Sequence, residues 1–287
     1  MTIDAAGVRD RLERAPIALL ALAPEDRALV ADAIATLDDA DARGVAAAAT
    51  ALVDGLGCGD EEPRHPFASL PEGPGAPGRL AILALVATAA DVVAWLRARG
   101  ADEATASSGV ADLGAQLRVH RRVVGVGGLD TQDWLALAWS GALLRHGALQ
   151  VAHVRHPRLG WVRSVHIPAG ASLDPDAIDA SLAASALVGE RLFPERATTT
   201  WHCRSWMLDP WLVDALPGTR LAAFAARWTH AGADVDGWED VAYFVFGTRD
   251  ATLDASALPH DSTLRRALAE RMGRGSRPIV REGTLQA

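Results

Sequence analysis

Three side chains in the second half of the sequence have chemistry their neighbours lack. Cys203 stands in the run Thr198–Leu208, rich in β-branched and aromatic residues and so read as a strand. A thiolate there would be a nucleophile. Strand alternation puts Trp201, Cys203 and Ser205 on one face and His202, Arg204 and Trp206 on the other. Ser205 offers a hydroxyl that can protonate a leaving group. His166 closes the strand-like run Trp161–Ile167, and an imidazole that titrates near neutrality suits a general base. Each has a plainer reading. A lone cysteine is usually a small buried hydrophobe. His166 can hydrogen-bond the loop Pro168–Ser172, Asp209 before Pro210 can cap a helix, and Trp206 can be core.

Composition removes other chemistries. All 28 fixed basic residues are arginine, because the 287-residue chain has no lysine. There is then no phosphate-loop lysine, no Schiff base and no lysine general base. Anions must be held by arginine, backbone N–H groups or helix N-termini. The formal charge of −8 argues against nucleic acid as a partner. Two distant cysteines, Cys58 and Cys203, make neither a disulfide framework nor a zinc cluster, and fit a reducing cytoplasm. His153 and His156 sit three apart in a strand and face opposite sides, and no His-Glu-x-x-His occurs, so no metal site is expected. The apolar run Leu80–Leu96 is broken by Asp91 and flanked by Arg79 and Arg97, which reads as a buried helix, with no membrane partner.

The elements that must position these residues fall into two textures. Residues 1–124 read as a helical domain. Pro24 with Glu25 and Asp26 opens one helix, and Leu29, Val30, Ala33, Ile34 and Leu37 give it an apolar face. A second covers Val45–Leu56, a loop fills Gly57–Gly78, a third helix runs Arg79–Arg99, and a weaker one spans Ala101–Leu117. The run Val119–Gly128 ends in a glycine cluster that could be a turn or a hinge. Residues 125–287 alternate. Asp130 starts a helix that ends near Gly147, and strands follow at Ala148–His156 and Trp161–Ile167. Asp174 and Pro175 open another helix, which Pro194 stops. Then come the Thr198–Leu208 strand, short helices at 210–216 and 220–230, a strand at Val241–Phe246, a helix at Ser262–Met272 and a strand at Arg277–Leu285. The fold class expected is α/β (α+β), a helical domain followed by a mixed sheet.

Several phrases in this half are familiar together. They are His166-Ile167-Pro168-Ala169-Gly170 followed by Leu173; Ser181-Leu182 with Ala184 or Ala186; Cys203-Arg204-Ser205-Trp206-Met207-Leu208-Asp209-Pro210; and Phe246-Gly247 followed by Leu258-Pro259-His260-Asp261-Ser262-Thr263-Leu264-Arg265-Arg266-Ala267. From about Asp130 to Leu285 the chain resembles the acyltransferase domain-containing proteins, which join a helical N-acyltransferase N-terminal region to a GNAT-like C-terminal domain. The resemblance implies acyl-CoA as cosubstrate with no permanently bound cofactor, held where two strands splay apart. The pyrophosphate would then lie on the strand–helix loop, at Ile167, Ala169, Gly170, Ala171 and Ser172. His166 would act as base, Ser205 would protonate the departing thiolate, or Cys203 would accept the acyl group. The acceptor, of N- or O-type, is open. The Gln/Arg-x-x-Gly-x-Gly/Ala signature is absent, and Asp174, Asp176 and Asp179 crowd that helix start. Two alternatives therefore stand beside transfer: a GNAT-like module that binds without reacting, and a thiol hydrolase using Cys203 with His166 or His202.

Overall fold

The computed structural model describes residues 2–60, 65–71, 75–250 and 255–286. The chain divides into two compact units. The first comprises Met1–Arg145, His153–Gly160 and Glu190–Pro194; the second comprises His146–Ala152, Trp161–Gly189 and Glu195–Ala287.

The first unit is a set of helices: α1 (Ala5–Glu13), α2 (Pro24–Ala35), α3 (Asp39–Asp54), α4 (Arg79–Ala98), α5 (Glu103–Ser108), α6 (Asp112–Val124) and α7 (Gln132–Trp139). Aspartates start three of them. The side chains of Asp4, Asp38 and Asp102 accept the N–H groups of Gly7, Asp41 and Thr105, each at 2.8 Å, satisfying donors that a helix start leaves over. Those backbone bonds hold the carboxyls of Asp38 and Asp102 below the usual carboxylate range. Helix α4 is long and apolar enough to cross a membrane. Here it is the core: Leu80, Ile82, Leu83, Leu85, Val86, Val92, Val93 and Leu96 are buried. Asp91, the charge that interrupts it, is bound by Arg11 of α1 at 2.5 Å.

Helix α6 runs on to Val124, with Leu113, Leu117 and His120 buried, and the glycine cluster follows it as a bend at 125–127. Two expectations for this half need correction. The loop expected across Gly57–Gly78 falls partly outside the described residues (61–64 and 72–74); within it, Phe67 is buried rather than exposed. The helix expected to reach Gly147 stops at Trp139. Ser140 ends it by turning its hydroxyl back onto the Leu137 carbonyl (2.7 Å) while accepting the Ala142 N–H (3.2 Å). Leu143–His146 is instead strand β1, and Gly147 (φ 57°) with Ala148 turns it into β2 (Leu149–His156). A left-handed φ at the first turn residue is what a tight hairpin requires.

The second unit is built on a mixed sheet. Strand β3 (Gly160–His166) is followed by α8 (Pro175–Leu192) and β4 (Thr200–Ser205). Then come α9 (Trp211–Ala215), α10 (Arg220–Ala226), the short strands β5 (Thr229–His230) and β6 (Val235–Asp236), α11 (Trp238–Val241), α12 (Thr263–Gly273) and β7 (Ile279–Gln286). The sheet order continues β3-β4-β7-β5, with β6 also on β7. β3 and β4 are parallel, and β4 and β7 antiparallel. The β3–α8–β4 crossover explains the parallel pair, since parallel neighbours need a long connection. One face of the sheet carries Val165, Trp201 and Cys203, which pack with Leu149, Val151 and the α8 residues Ile178 and Leu182.

A second apolar layer collects Trp206, Leu212, Leu216, Trp238, Val241, Phe246, Leu268 and Val280. This layer overturns the strand expected at Val241–Phe246. The segment is helical, α11 running into a single π turn at Ala242–Phe246. Asp236 starts it by accepting the Trp238 N–H at 2.9 Å. A six-residue apolar run carries no period of its own, so burial decided its shape. Likewise the helix expected to run through His230 ends at Ala226, and Thr229–His230 pairs with Thr284 and Gly283 of β7. Asp209 does cap the next turn, accepting the Trp211 N–H at 3.0 Å. It also holds a buried ion pair with Arg271 at 2.5 Å and accepts the Ile279 N–H at 3.0 Å.

Candidate active site

The geometry around β3 and β4 is that of a sheet coming apart. Among the described residues the two strands pair only at Arg163↔Trp201 and Ser164↔His202. Strand β3 nevertheless continues through Val165 to His166, and β4 continues to Ser205. Over that length β4 stays paired with β7, up to Ser205↔Arg281. Both strands therefore run on past the end of their shared ladder, with β4 anchored by its other neighbour.

Alternation decides what faces this opening. Ser164 and His166 share one face of β3, while Arg163 and Val165 share the α8 face. His202 is the register partner of Ser164, so it lies on the Ser164 side. Glu282 lies on the same side, since its neighbour Thr284 is the register partner of His202. Ser164 Oγ is 3.2 Å from His202 Nδ1, and His202 Nε2 is 3.6 Å from Glu282 Oε1. All three residues are buried. His166, two residues beyond Ser164, is half-buried, but its Nε2 is withdrawn from solvent. Burial pulls its pKa down to about 3, and the neighbouring His202 adds to the effect. Removing water disfavours the imidazolium, so His166 is a neutral ring across the physiological range.

The loop from Ile167 to Asp174 is closed on itself. Ala171 donates to the Pro168 carbonyl at 3.0 Å, a tight turn whose third residue, Gly170, has φ 77°. Asp174 donates its N–H to Ser172 Oγ at 3.2 Å, and the Asp174 carboxylate takes the Asp176 N–H at 3.2 Å. Asp174 also accepts the Ile178 N–H through its carbonyl, so it is the N-cap of α8. The negative charge at this helix start is met by arginine: Arg220 lies 3.2 Å from Asp174, and Arg227 is paired with Asp179. Ala169 and Gly170 are exposed, and a side-chain carbon added at Gly170 would meet nothing within 4 Å.

The other two expected residues sit differently. Cys203 is wholly buried among Val165, Trp201, Leu208 and Phe224, and burial pushes its thiol pKa far up. That environment suits a packed hydrophobe, not a thiolate. Ser205 Oγ accepts the Met207 N–H at 3.1 Å, capping the 3-10 turn Trp206–Leu208. Residue types alone did not single out Ser164 or Glu282. The signal was available as polar residues in otherwise apolar strand runs, where burial demands a partner.

A parallel pair that separates after two rungs, with a small-residue loop and a helix next on β3, defines an acyltransferase of GNAT-like fold. The chain belongs to the GNAT-like C-terminal domain family, which matches residues 123–285; the N-acyltransferase N-terminal domain matches residues 14–141. Among solved structures it is similar to an acyltransferase in complex with decanoyl-CoA and teicoplanin, at 26% identity and a TM-score of 0.84, over 94% of this chain and 86% of that one. It is also similar to an acyltransferase in complex with decanoyl-CoA alone, at 25% identity and a TM-score of 0.84, over 99% of both chains. A third, bound to CoA and 10C-teicoplanin, shares the fold at 24% identity and a TM-score of 0.76, over 99% of both chains. Among curated proteins, none matches.

Proposed function

We propose that this protein transfers an acyl group from acyl-CoA to an amine or hydroxyl of a small-molecule or peptide acceptor. The observation that carries the reading is the end of β3–β4 pairing at Ser164↔His202, with β3 running on to His166. A thioester laid along that gap meets main-chain N–H groups beyond the last rung that β3 and β4 share. Such donors stabilise the oxyanion that forms when the acceptor attacks the carbonyl. His166, at the end of β3, takes the proton that the acceptor loses as the new bond forms, and CoA departs as the thiolate, which takes a proton from water, directly or through Ser205 as it regains its own from water. His166 is neutral and so able to accept, while the burial that keeps it neutral also makes it a weak base until substrate enters.

For the CoA end, support comes from Ala169, Gly170, Ala171 and Ser172, small residues at the start of a helix, with Ile167 leading into them. Arg220, held by Asp174 at the same helix start, is a cation within reach of the phosphates, in a chain without lysine. Similarity to acyltransferases bound to decanoyl-CoA favours a medium-length acyl chain, and similarity to one bound to teicoplanin favours a large polar acceptor of that kind. The cytosol supplies acyl-CoA and keeps both free thiols reduced. Cys203 takes no part in this scheme, because its setting opposes ionisation.

Calorimetric titration with decanoyl-CoA, followed by a free-thiol assay with teicoplanin as acceptor, tests the reading. Binding together with acceptor-dependent CoA release is expected. Absence of binding at millimolar ligand would refute it. Binding without release to any amine or hydroxyl acceptor would favour the non-reacting module, a reading supported by the internal hydrogen bonds of the Pro168–Asp176 segment.

A further inference from the structure

The buried face of β3, β4 and β7 holds a row of polar groups that the transfer reaction does not itself require. Ser164 Oγ meets His202 Nδ1 at 3.2 Å, and His202 Nε2 faces Glu282 Oε1 at 3.6 Å. The row crosses three adjacent strands: Ser164 and His202 are level, and Glu282 lies two residues along β7 from Thr284, the register partner of His202. Burying a serine, a histidine and a glutamate in a sheet interior is costly unless they serve one another. An apolar trio would fill that space at lower cost.

Its location gives it a use. Ser164↔His202 is where β3–β4 pairing ends, so the row sits at the branch point of the splay. His166 follows Ser164 by two residues on the same strand face, and the two are joined by a single intervening peptide segment through Val165, itself locked in the apolar layer. Anything that fixes Ser164 fixes the direction in which the end of β3 leaves the sheet. On the far side, Glu282 lies on β7, which holds β4 over six register pairs. The row thus ties the free-running end of β3 to the rigid part of the sheet.

We propose that Ser164, His202 and Glu282 form a positioning chain for acyl transfer, setting the branch point of β3 and β4 and, through it, the placement of the His166 ring. The proposal rests on the functional reading above. In it, Glu282 orients the His202 imidazole and selects the tautomer that presents Nδ1 to Ser164, and the Ser164 hydroxyl completes the tie between strands. None of these three residues touches substrate; His166 does. Removing one end breaks one of the two contacts that hold the His202 ring, so the effect passes along β3 to His166 although its own side chain is unchanged.

The test uses the full-length protein with isotope-labelled histidine. The His166 ring signal is assigned by its loss in His166→Gln. Ser164→Ala and Glu282→Gln are then compared with the parent protein for that signal and for turnover of decanoyl-CoA. The expected result is a displaced His166 signal and a fall in kcat of about tenfold, the order that losing one buried hydrogen-bond partner implies, with KM for decanoyl-CoA changed less than twofold. Two variants are used so that one that fails to fold leaves the other decisive. A folded variant with the parent His166 signal and unchanged kcat overturns the proposal, as does a change confined to KM. Failure of the functional reading looks different: the parent protein itself would then not turn over decanoyl-CoA, while the His166 signal would still report whether the chain reaches that ring.

Discussion

Ser164 on β3 and His202 on β4 are register partners, and after them the two strands no longer pair. Their side chains also meet, at 3.2 Å between Ser164 Oγ and His202 Nδ1. The last rung of the ladder is therefore made twice, once by backbone and once by side chain. An opening in a parallel sheet is otherwise unstable, because strands that have begun to pair gain a hydrogen bond with each further residue. Here β4 is held by β7 along its length, while β3 turns into a loop that closes on itself. The gap is built by what each strand does on its other side.

Replacing His166 should separate chemistry from binding. In His166→Gln the ring that accepts the proton is lost, while the loop and Arg220 remain. We expect kcat to fall by about 10²–10⁴-fold, the usual range for a positioned base, with the dissociation constant for decanoyl-CoA nearly unchanged. Steady-state kinetics paired with calorimetry would decide. Full activity in this variant would remove His166 from the reaction and leave water as the base.

The pH dependence follows from the direction of the His166 shift. Its folded-state pKa is about 3, below the ordinary 6.5 of an exposed imidazole. Between those values the unfolded chain binds a proton that the folded chain does not, so the contribution to stability is full above about pH 6.5 and is lost as pH falls toward 3. His146, lowered to about 4 by burial, acts in the same sense. The rate of transfer, in turn, should show no acid limb near pH 6.5, because His166 is neutral on both sides of it. A kcat/KM profile that bends at that pH would mean the ring is exposed in the working enzyme.

Much of this arrangement was legible in the residues. Trp161–Ile167 and Thr198–Leu208 announce themselves as strands through β-branched and aromatic residues, and Asp174-Pro175 announces the start of α8. The small loop at Ala169–Ser172 and the face shared by Trp201, Cys203 and Ser205 were readable by composition and alternation. What was hidden depends on partners. Val241–Phe246 looks like a strand until its burial against Leu268 and Val280 makes it helical. Leu143–His146 continues an apolar face that ends a helix only because Ser140 folds its hydroxyl backward. The Ser164–His202–Glu282 row is invisible in sequence because its members are 38 and 80 residues apart, and only the strand order β3-β4-β7 brings them onto neighbouring strands.

The two cysteines should react unequally. Cys58 is half-buried, with its thiol on the Asp60 carboxylate at 3.3 Å, whereas Cys203 is buried among apolar side chains with its pKa pushed up. Iodoacetamide under native conditions should label Cys58 first and leave transfer activity intact, as mass spectrometry with a parallel assay would show. Preferential labelling of Cys203 with loss of activity would revive the thiol-hydrolase reading. Cys203→Ser should instead cost stability, about 1–3 kcal/mol for a hydroxyl placed in an apolar layer.

Arg220 offers a way to ask whether the loop after β3 holds the phosphates of CoA. It lies 3.2 Å from Asp174, at the start of α8, and is well exposed, so the pair itself contributes little to folding. Arg220→Gln should therefore leave the thermal midpoint almost unchanged. If the guanidinium does move from the aspartate to a phosphate when CoA arrives, the variant should bind decanoyl-CoA about tenfold more weakly, as expected for one charge-assisted contact. The deficit should shrink with added salt, since an exposed ionic contact is screened within about 8 Å at physiological ionic strength. Asp174→Asn, which frees Arg220 from its carboxylate, should shift binding the other way. Equal affinities for all three proteins across a salt series would place the phosphates elsewhere on the chain.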